Sequence, residues 1–226
     1  MLAKEKQCEE RLILIDFFCH GVPTYLLWQS FLKWLKEKNK ITMIKGIRFR
    51  DKKYGWHNFT MKIETQAQSF FFKIKKNPFY TLFFCDLLLN DKCYLCESKS
   101  SFDFADIRLG DFWGSTFDNR EDGVSVVIPI SQKAEYFIKD LNIFLEQQNN
   151  KICMNVQSVF KNNSINLANR DVLFDMLKSN KKIDKLIIKY KHMLPFGKKL
   201  LLFFKQLLPS SIVFIIRKKY HKWSGM

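Results

Sequence analysis

The feature that most constrains the fold is a short apolar segment that leads into a cysteine and then into a helix. Residues 11–18 are mostly aliphatic and aromatic, and they predict a buried β-strand. The strand ends at Cys19-His20-Gly21, and Pro23-Thr24 then opens a helix. Because sites in α/β sheets commonly lie at the carboxyl ends of strands, this order places Cys19 and His20 at a candidate site.

The patterns that follow complete the prediction of an α/β fold. Alternating residues over 47–64 predict a β-hairpin, and a Phe- and Leu-rich run over 69–90 predicts a buried helix. Residues 123–130 predict another buried strand. The helix predicted after that strand is marked by Phe137, Leu141, Phe144 and Leu145. These elements predict a mixed β-sheet with flanking helices, plus a basic helical tail at the C-terminus.

A change of character near residue 150 predicts two domains. Residues 1–150 carry the strand and helix patterns, whereas residues 151–226 predict a basic tail with short helices near 170–178 and 181–192. Beyond residue 194 the apolar stretches are interrupted by charged and polar residues. This pattern favours an amphipathic segment that lies on a surface over a helix that spans a membrane.

Positive charge is concentrated in the tail. The formal net charge is +16, and residues 161–226 contain 15 Lys and Arg against three Asp, whereas residues 1–160 contain 23 basic and 19 acidic residues. A tail of this kind suits an anionic membrane surface or an acidic partner. A genome-wide bias towards Lys, Asn, Ile and Phe explains the same charge without a function. Since no RNA-binding motif is present and the aromatic residues are predicted to be buried, we expect no nucleic-acid partner.

The six cysteines are predicted to be thiols rather than disulfides, and the isolated Cys8 and Cys153 are not expected to be ligands. The first residues are polar and lack the apolar run of a secretory leader, so we expect a cytoplasmic protein. In that compartment cysteines stay reduced and serve as metal ligands or redox groups.

The spacing of Cys93 and Cys96 lets two thiolates reach one metal or cluster from a single turn. Three interpretations of this cysteine pair stay open: a zinc site, a redox-active pair and an iron–sulfur cluster. A zinc site needs two further ligands, for which Cys19 and His20 are candidates. A thioredoxin-type pair needs a strand before it and a helix after it, whereas a polar loop follows here. A 4Fe–4S cluster needs four ligands, of which Cys19, Cys93 and Cys96 supply three, and Cys85 in its apolar context is a weak fourth.

Two further groups of residues are candidate binding sites. Gly110 and Gly114 flank Asp111 and Trp113. This pattern predicts either close backbone approach to a flat or phosphorylated ligand, or a tight turn with a core tryptophan. On the predicted hairpin, a basic rim favours binding of cofactor phosphates, and a solvated hairpin tip is the alternative. The rim consists of Arg48, Arg50, Lys52 and Lys53.

Five segments in a fixed order carry a family resemblance. They are the Cys-His-Gly turn with its flanks (16–23), the hairpin tip (49–56), the Cys-x-x-Cys pair (93–96), a stretch with Ala-Asp-Ile and Gly-Asp-Phe-Trp-Gly (105–114), and an Asp-Gly-Val-Ser turn (122–125). With these segments, the chain resembles the C-terminal domain of the coenzyme F420 hydrogenase/dehydrogenase beta subunit family over roughly residues 10–150.

The resemblance implies an iron–sulfur flavoprotein oxidoreductase that transfers electrons between a 4Fe–4S cluster, FAD and a deazaflavin or another acceptor. It implies that Cys19, Cys93 and Cys96 are cluster ligands. It also implies that other motif positions lie near FAD, namely His20, Gly21, Arg50, Lys52, Gly110, Asp111 and Trp113. Relatives in bacteria that lack the deazaflavin often accompany polysaccharide-synthesis genes, so this context is expected too.

The resemblance further implies a partner. Family members usually begin with a ferredoxin-like module and a Gly-x-Pro-Cys segment, and neither precedes Cys19 here. We therefore expect a ferredoxin-like partner or a separately encoded N-terminal half. The alternative is a truncated, non-catalytic domain whose basic residues 161–226 bind a partner protein or an anionic membrane surface. Such binding would hold a cytoplasmic protein at the inner face of the membrane.

Overall fold

The computed structural model describes residues 9–200 except 104, 156, 158–165 and 198. These residues form two compact units. The first unit contains 9–22, 55–57 and the described part of 90–164, and the second contains 23–54, 58–89 and the described residues from 166 onwards. The described residues include two three-stranded sheets and seven helices, which confirms the predicted α/β class.

The elements follow one another along the chain with short 3₁₀ turns between several of them. In chain order they are β1 (Ile15–Phe17), α1 (Tyr25–Asn39), β2 (Gly46–Asp51), β3 (Thr60–Glu64), β4 (Ser69–Lys73), α2 (Pro78–Phe83), α3 (Asp91–Tyr94), β5 (Ile107–Asp111), β6 (Ser125–Pro129), α4 (Gln132–Lys139), α5 (Asn150–Asn155), α6 (Leu167–Lys178) and α7 (Ile183–Met193).

The first unit contains a mixed sheet in the order β1-β5-β6. Strand β1 is parallel to β5, and β5 is antiparallel to β6. The prediction of a buried strand over 11–18 is wrong in length and in burial. Strand β1 has three residues, and Ile15 and Phe17 are 54% and 68% exposed. Both side chains share one face of an edge strand, because side chains alternate along a strand.

The second unit contains an antiparallel sheet in the order β2-β3-β4. The predicted hairpin is confirmed, and Met61 and Ile63 of the central strand are fully buried. The prediction of a helix from residue 69 is wrong over Ser69–Lys73, which is the third strand of this sheet. A short apolar run does not distinguish a buried strand from a buried helix, so the pairing with β3 decides the structure here.

Helix α1 confirms the prediction made from its capping residue. The Thr24 side chain accepts a hydrogen bond from the backbone N–H of Leu26, which stabilises the first turn. Leu27, Phe31 and Leu35 are fully buried on one face. This helix packs in the second unit together with α2, α6 and α7.

Helices α6 and α7 confirm the two short helices predicted in the basic tail. Leu173 and Leu186 are fully buried, and an ion pair of 2.9 Å joins Lys38 of α1 to Asp184 of α7. The boundary predicted between 1–150 and 151–226 stays a prediction. Predicted segments beyond residue 200, including the amphipathic one, lie outside the described residues.

Helix α4 is shorter than its apolar pattern predicts. It ends at Lys139, and only Ala134 of its side chains is buried. Phe144, which the pattern places on a buried face, is 90% exposed. Among the residues that the structure describes, none of the helices combines the length and the hydropathy that crossing a membrane requires.

Candidate functional site

The turn that contains Cys19 is joined to the helix that contains Cys93. The backbone N–H of Val22 donates to Cys93 Sγ at 3.3 Å, and the backbone N–H of Asn90 donates to the Val22 carbonyl at 2.7 Å. The Asn90 side chain also caps α3 by accepting from the Lys92 N–H at 3.0 Å. The first cysteine of the Cys-x-x-Cys pair therefore lies against the Cys-His-Gly turn, although Val22 and Cys93 are 71 positions apart in the sequence.

The three predicted cluster ligands lie in the first unit and differ in exposure. Cys19 and Cys93 are partly buried, and Cys96 is exposed. His20 and Gly21 follow Cys19 in the same turn, and Gly21 has a φ of 139°, which favours glycine. Within the described residues, no group of three or more His, Cys, Asp or Glu side chains is arranged to hold a metal ion.

Two further cysteines serve packing. Cys85 lies in the second unit and donates to the Leu82 carbonyl at 2.9 Å, and burial raises the pKa of its thiol to about 12. Cys153 is buried in the first unit against Phe112 and Val126, and burial also raises the pKa of its thiol. Both thiols are therefore poor sources of thiolate near neutral pH.

Gly110 and Asp111 form the end of β5 rather than a loop. A Cβ atom at Gly110 would lie 2.7 Å from the Phe18 ring and 3.1 Å from Gln157 Oε1. The Gln157 side chain also donates to the Asp111 carbonyl at 2.9 Å. The absence of a side chain at Gly110 thus allows the side chains of Phe18 and Gln157 to pack closely against its backbone.

Trp113 is half-buried and packs against another tryptophan of the first unit. Its ring stacks on Trp56 with ring centroids 4.6 Å apart, and Trp56 is 5% exposed. The adjacent His57 ring lies 3.5 Å from an Asp118 oxygen and 3.3 Å from a Glu121 oxygen. These contacts fasten residues 55–57 to the rest of the first unit.

The two basic residues predicted to lie near FAD belong to the second unit. Arg50 is exposed on β2, and its guanidinium lies 5.6 Å from the centre of the Phe59 ring. Lys52 is exposed directly after that strand. The five other predicted FAD residues lie in the first unit, so the predicted set is distributed over both units.

Two cavities lie elsewhere. One of about 300 Å³ in the first unit is lined mainly by apolar side chains such as Phe102, Ile128 and Met154. The other, of about 150 Å³, lies in the second unit beside Trp34 and Asp184. Neither cavity is lined by a residue predicted to bind FAD.

The sequence interpretation missed the role of Arg108. Its side chain is 1% exposed, and Nε donates to Asp16 Oδ1 at 2.8 Å while Nη2 donates to Asp16 Oδ2. These bonds raise the pKa of the guanidinium, against the opposing effect of burial. An arginine in the middle of an apolar strand, with an aspartate in another apolar strand, is the sequence signal for such a pair.

The missed arginine also contacts the segment after the Cys-x-x-Cys pair. Nη2 donates to the Ser98 carbonyl at 3.2 Å. The guanidinium lies 4.6 Å from the centre of the Phe102 ring and 5.4 Å from that of Phe18. Asp16 and Arg108 are direct partners across the parallel strands β1 and β5.

Comparison with known proteins accords with the ordered motifs. The family model for the C terminus of the coenzyme F420 hydrogenase/dehydrogenase beta subunit matches residues 1–149. A search of curated proteins and a search of solved structures each returned no significant match. Because the family match covers well over half of the 226 residues, the chain belongs to the coenzyme F420 hydrogenase/dehydrogenase beta subunit family, as a domain of the C-terminal type.

Proposed function

We propose that this chain is the electron-transfer domain of an iron–sulfur flavoprotein oxidoreductase. Its family provides the oxidoreductase and coenzyme F420 context. The observation that supports the proposal best is a hydrogen bond from the backbone N–H of Val22 to Cys93 Sγ. Val22 lies three residues after Cys19. Two cysteine segments that are distant in sequence meet at one turn, as a shared thiolate site requires.

The backbone around Cys93 suits a sulfur ligand. Hydrogen bonds to cluster sulfurs orient the ligands and tune the reduction potential of iron–sulfur centres. The Val22 N–H already donates to the sulfur of Cys93, and the Asn90 cap fixes the short helix that holds this cysteine. The protein's contribution would be to orient the thiols before any cofactor is bound.

The described thiols supply only part of a ligand set. A 4Fe–4S cluster takes four ligands, and we propose that Cys19, Cys93 and Cys96 hold it together with a ligand from a ferredoxin-like partner or another segment. The described residues alone do not complete the site, since no three potential ligands among them are grouped. When bound, the cluster would supply one-electron transfer and FAD the two-electron chemistry.

For FAD we propose a position beside the Cys19 turn. His20 and Gly21 support this position because they adjoin a proposed cluster ligand. Gly110 and Trp113 contribute to the packing of the first unit through Phe18 and Trp56. Roles for Asp111, Arg50 and Lys52 rest on the family motif.

The proposal is tested by anaerobic purification followed by a visible spectrum and by quantification of iron and flavin. We expect bound iron, bound FAD and the visible absorbance of an iron–sulfur cluster and a flavin. Cys93→Ser should remove at least half of the iron, because it deletes one of the proposed ligands. Cys85→Ala is the matched control, since this thiol donates to a backbone carbonyl in the second unit.

Two results would contradict this proposal. One is a folded protein without iron or flavin, also after purification with a ferredoxin-like partner. The other is a Cys93→Ser variant that keeps its full iron content.

A second candidate function is binding of an anionic membrane surface. Helix α7 and the turn before it present several lysines to solvent: Lys181, Lys182, Lys185, Lys189 and Lys191. Each lysine near an anionic surface contributes about 1 kcal/mol to binding. This function does not require a cofactor and is compatible with the first.

A further inference from the structure

The buried guanidinium of Arg108 joins the two segments that carry the outer cysteines. Through Asp16 it contacts strand β1, which leads to Cys19 three residues later. Through the Ser98 carbonyl it contacts the turn that begins two residues earlier at Cys96. One buried side chain therefore contacts both of the segments that carry the outer proposed ligands.

We propose that Arg108 is a positioning residue that fixes the separation of the Cys19 and Cys96 thiols. The relevance of this separation to a cluster rests on the function proposed above, but the separation itself is a property of the protein without cofactor. Cys93 is already fastened to the turn by the Val22 N–H. Arg108 supplies the corresponding constraint for the segment that follows Cys96, the exposed cysteine of the pair.

Only an arginine meets the geometry of this position. The two contacts to Asp16 and the contact to Ser98 use Nε and Nη2 of one planar group. The rings of Phe102 and Phe18 contact the same group. A lysine has a single ammonium and cannot form this fork, so it would keep the charge but lose one of the two segments.

The test measures thiol proximity in the full-length chain without cofactor. A short bifunctional alkylating reagent is reacted with the Cys93→Ser variant, so that Cys19 and Cys96 are the pair of interest. Peptide mass spectrometry then quantifies the cross-link between them over time. We expect Arg108→Met to slow formation of this cross-link at least tenfold, and Arg108→Lys to slow it severalfold.

The matched control is Arg120, which forms the same kind of fork with Asp122 at 3.1 and 3.0 Å on the surface of the same unit. Its side chain is 54% exposed and contacts neither cysteine segment in the described hydrogen bonds. Arg120→Met should leave the rate of cross-linking unchanged.

Stability and positioning are separated by a double variant. Removing Arg108 alone leaves Asp16 without its buried partner, whereas Asp16→Asn with Arg108→Met removes both charges and restores stability. We expect the double variant to unfold at a temperature near that of the parent and still to cross-link at least tenfold more slowly. If Arg108→Met alone does not fold, the rate of cross-linking is measured on the double variant instead.

Three results would overturn the inference. In the first, the Cys93→Ser variant with Arg108 intact forms no Cys19–Cys96 cross-link. In the second, a folded Arg108→Met variant cross-links as fast as the protein that keeps Arg108. In the third, the double variant regains this rate together with its stability. Iron and flavin contents are measured separately. A protein that lacks both but shows the Arg108 dependence would contradict the proposed function and leave the positioning role intact.

Discussion

Gly110 illustrates how a motif position acquires a physical reason in the structure. It lies on strand β5, where a side chain would collide with the Phe18 ring. The same ring is the neighbour of Cys19 in sequence and contacts Arg108. The missing side chain at Gly110 therefore lets Phe18 occupy its place beside the cysteine turn.

We predict that Gly110→Ala lowers the free energy of unfolding by about 1–3 kcal/mol, the usual cost of overpacking a fitted interior. The new Cβ would lie 2.7 Å from a ring carbon of Phe18 and 3.1 Å from Gln157 Oε1, so these packed side chains or the backbone must shift. Urea denaturation at pH 7 measures the change. Gly197→Ala is the control, because no atom lies within 4 Å of the added carbon there. Equal stability of Gly110→Ala and the parent would show that the ring is not packed on this glycine.

Strands and loops of the first unit are joined by a buried carboxylate. Asp106 is 6% exposed and accepts hydrogen bonds from the Leu14 N–H at 2.8 Å and the Ser131 hydroxyl at 2.7 Å. An ion pair of 3.0 Å connects it to Lys133 of α4. It therefore connects the segment before β1, the start of β5 and the beginning of α4.

The pKa of Asp106 gives the acid stability of this junction a definite sign. Burial acts to raise the pKa, but the hydrogen bonds from Leu14, Ser131 and Lys133 together lower it below the ordinary value of 3.8. The folded state thus binds this proton less readily than the unfolded state. The stabilisation is fully present above the unfolded pKa and is lost as the pH falls through the lower, folded pKa.

We predict that Asp106→Asn lowers the free energy of unfolding by about 2–3 kcal/mol at pH 7, since charge-assisted hydrogen bonds are lost. The difference between variant and parent should shrink as the pH falls below about 4, because the parent then loses the same charge. Urea denaturation at several pH values tests both statements. Asp122→Asn, at a side chain that is 67% exposed, should change stability by less than about 0.5 kcal/mol. A difference that grows on acidification would refute the assignment.

Local patterns identify some elements well and others poorly, for physical reasons. The Thr24 cap, the hairpin and helices α6 and α7 follow from short-range chemistry, and the sequence is sufficient to predict them. The apolar run of strand β4 is too short to distinguish a strand from a helix, and only its pairing with β3 selects the strand. The apolar pattern of strand β1 predicts burial because it does not reveal that the strand lies at the edge of its sheet.

In the candidate site, too, local sequence predicts some features, whereas others depend on contacts between distant residues. The sequence identifies the cysteines and the family, but it does not reveal that the Val22 amide contacts Cys93 or that Arg108 connects Asp16 with Ser98. Those contacts join residues up to 92 positions apart. The contact between Asp16 and Arg108 depends on the parallel register of β1 and β5, which no local pattern specifies.

Binding of an anionic membrane surface, the second candidate function, can be tested through the net charge of +16 and the exposed lysines of α7. We predict that the chain sediments with vesicles containing phosphatidylserine and is released by high salt, because surface charges are screened. Replacing Lys185, Lys189 and Lys191 by Glu should weaken partitioning by roughly 100-fold or more, at about 1 kcal/mol for each lost charge.

The same number of reversals elsewhere provides the control for this experiment. Lys73, Lys75 and Lys76 are exposed and lie outside the basic tail, so their replacement by Glu should have the smaller effect. Equal losses in both variants would indicate a response to net charge alone. A parent that stays in solution with anionic vesicles would contradict this function.

The parallel pairing of β1 with β5 also orders events during synthesis of the chain. Strands β2, β3 and β4 are complete once residue 73 has been made, and they pair with near neighbours. Strand β1 must wait until residues 107–109 have left the ribosome, with the whole antiparallel sheet lying between the two partners in sequence. The turn with Cys19 is thus translated before strands β2 to β4 and helices α1 and α2, yet its supporting sheet is completed only after all of them exist.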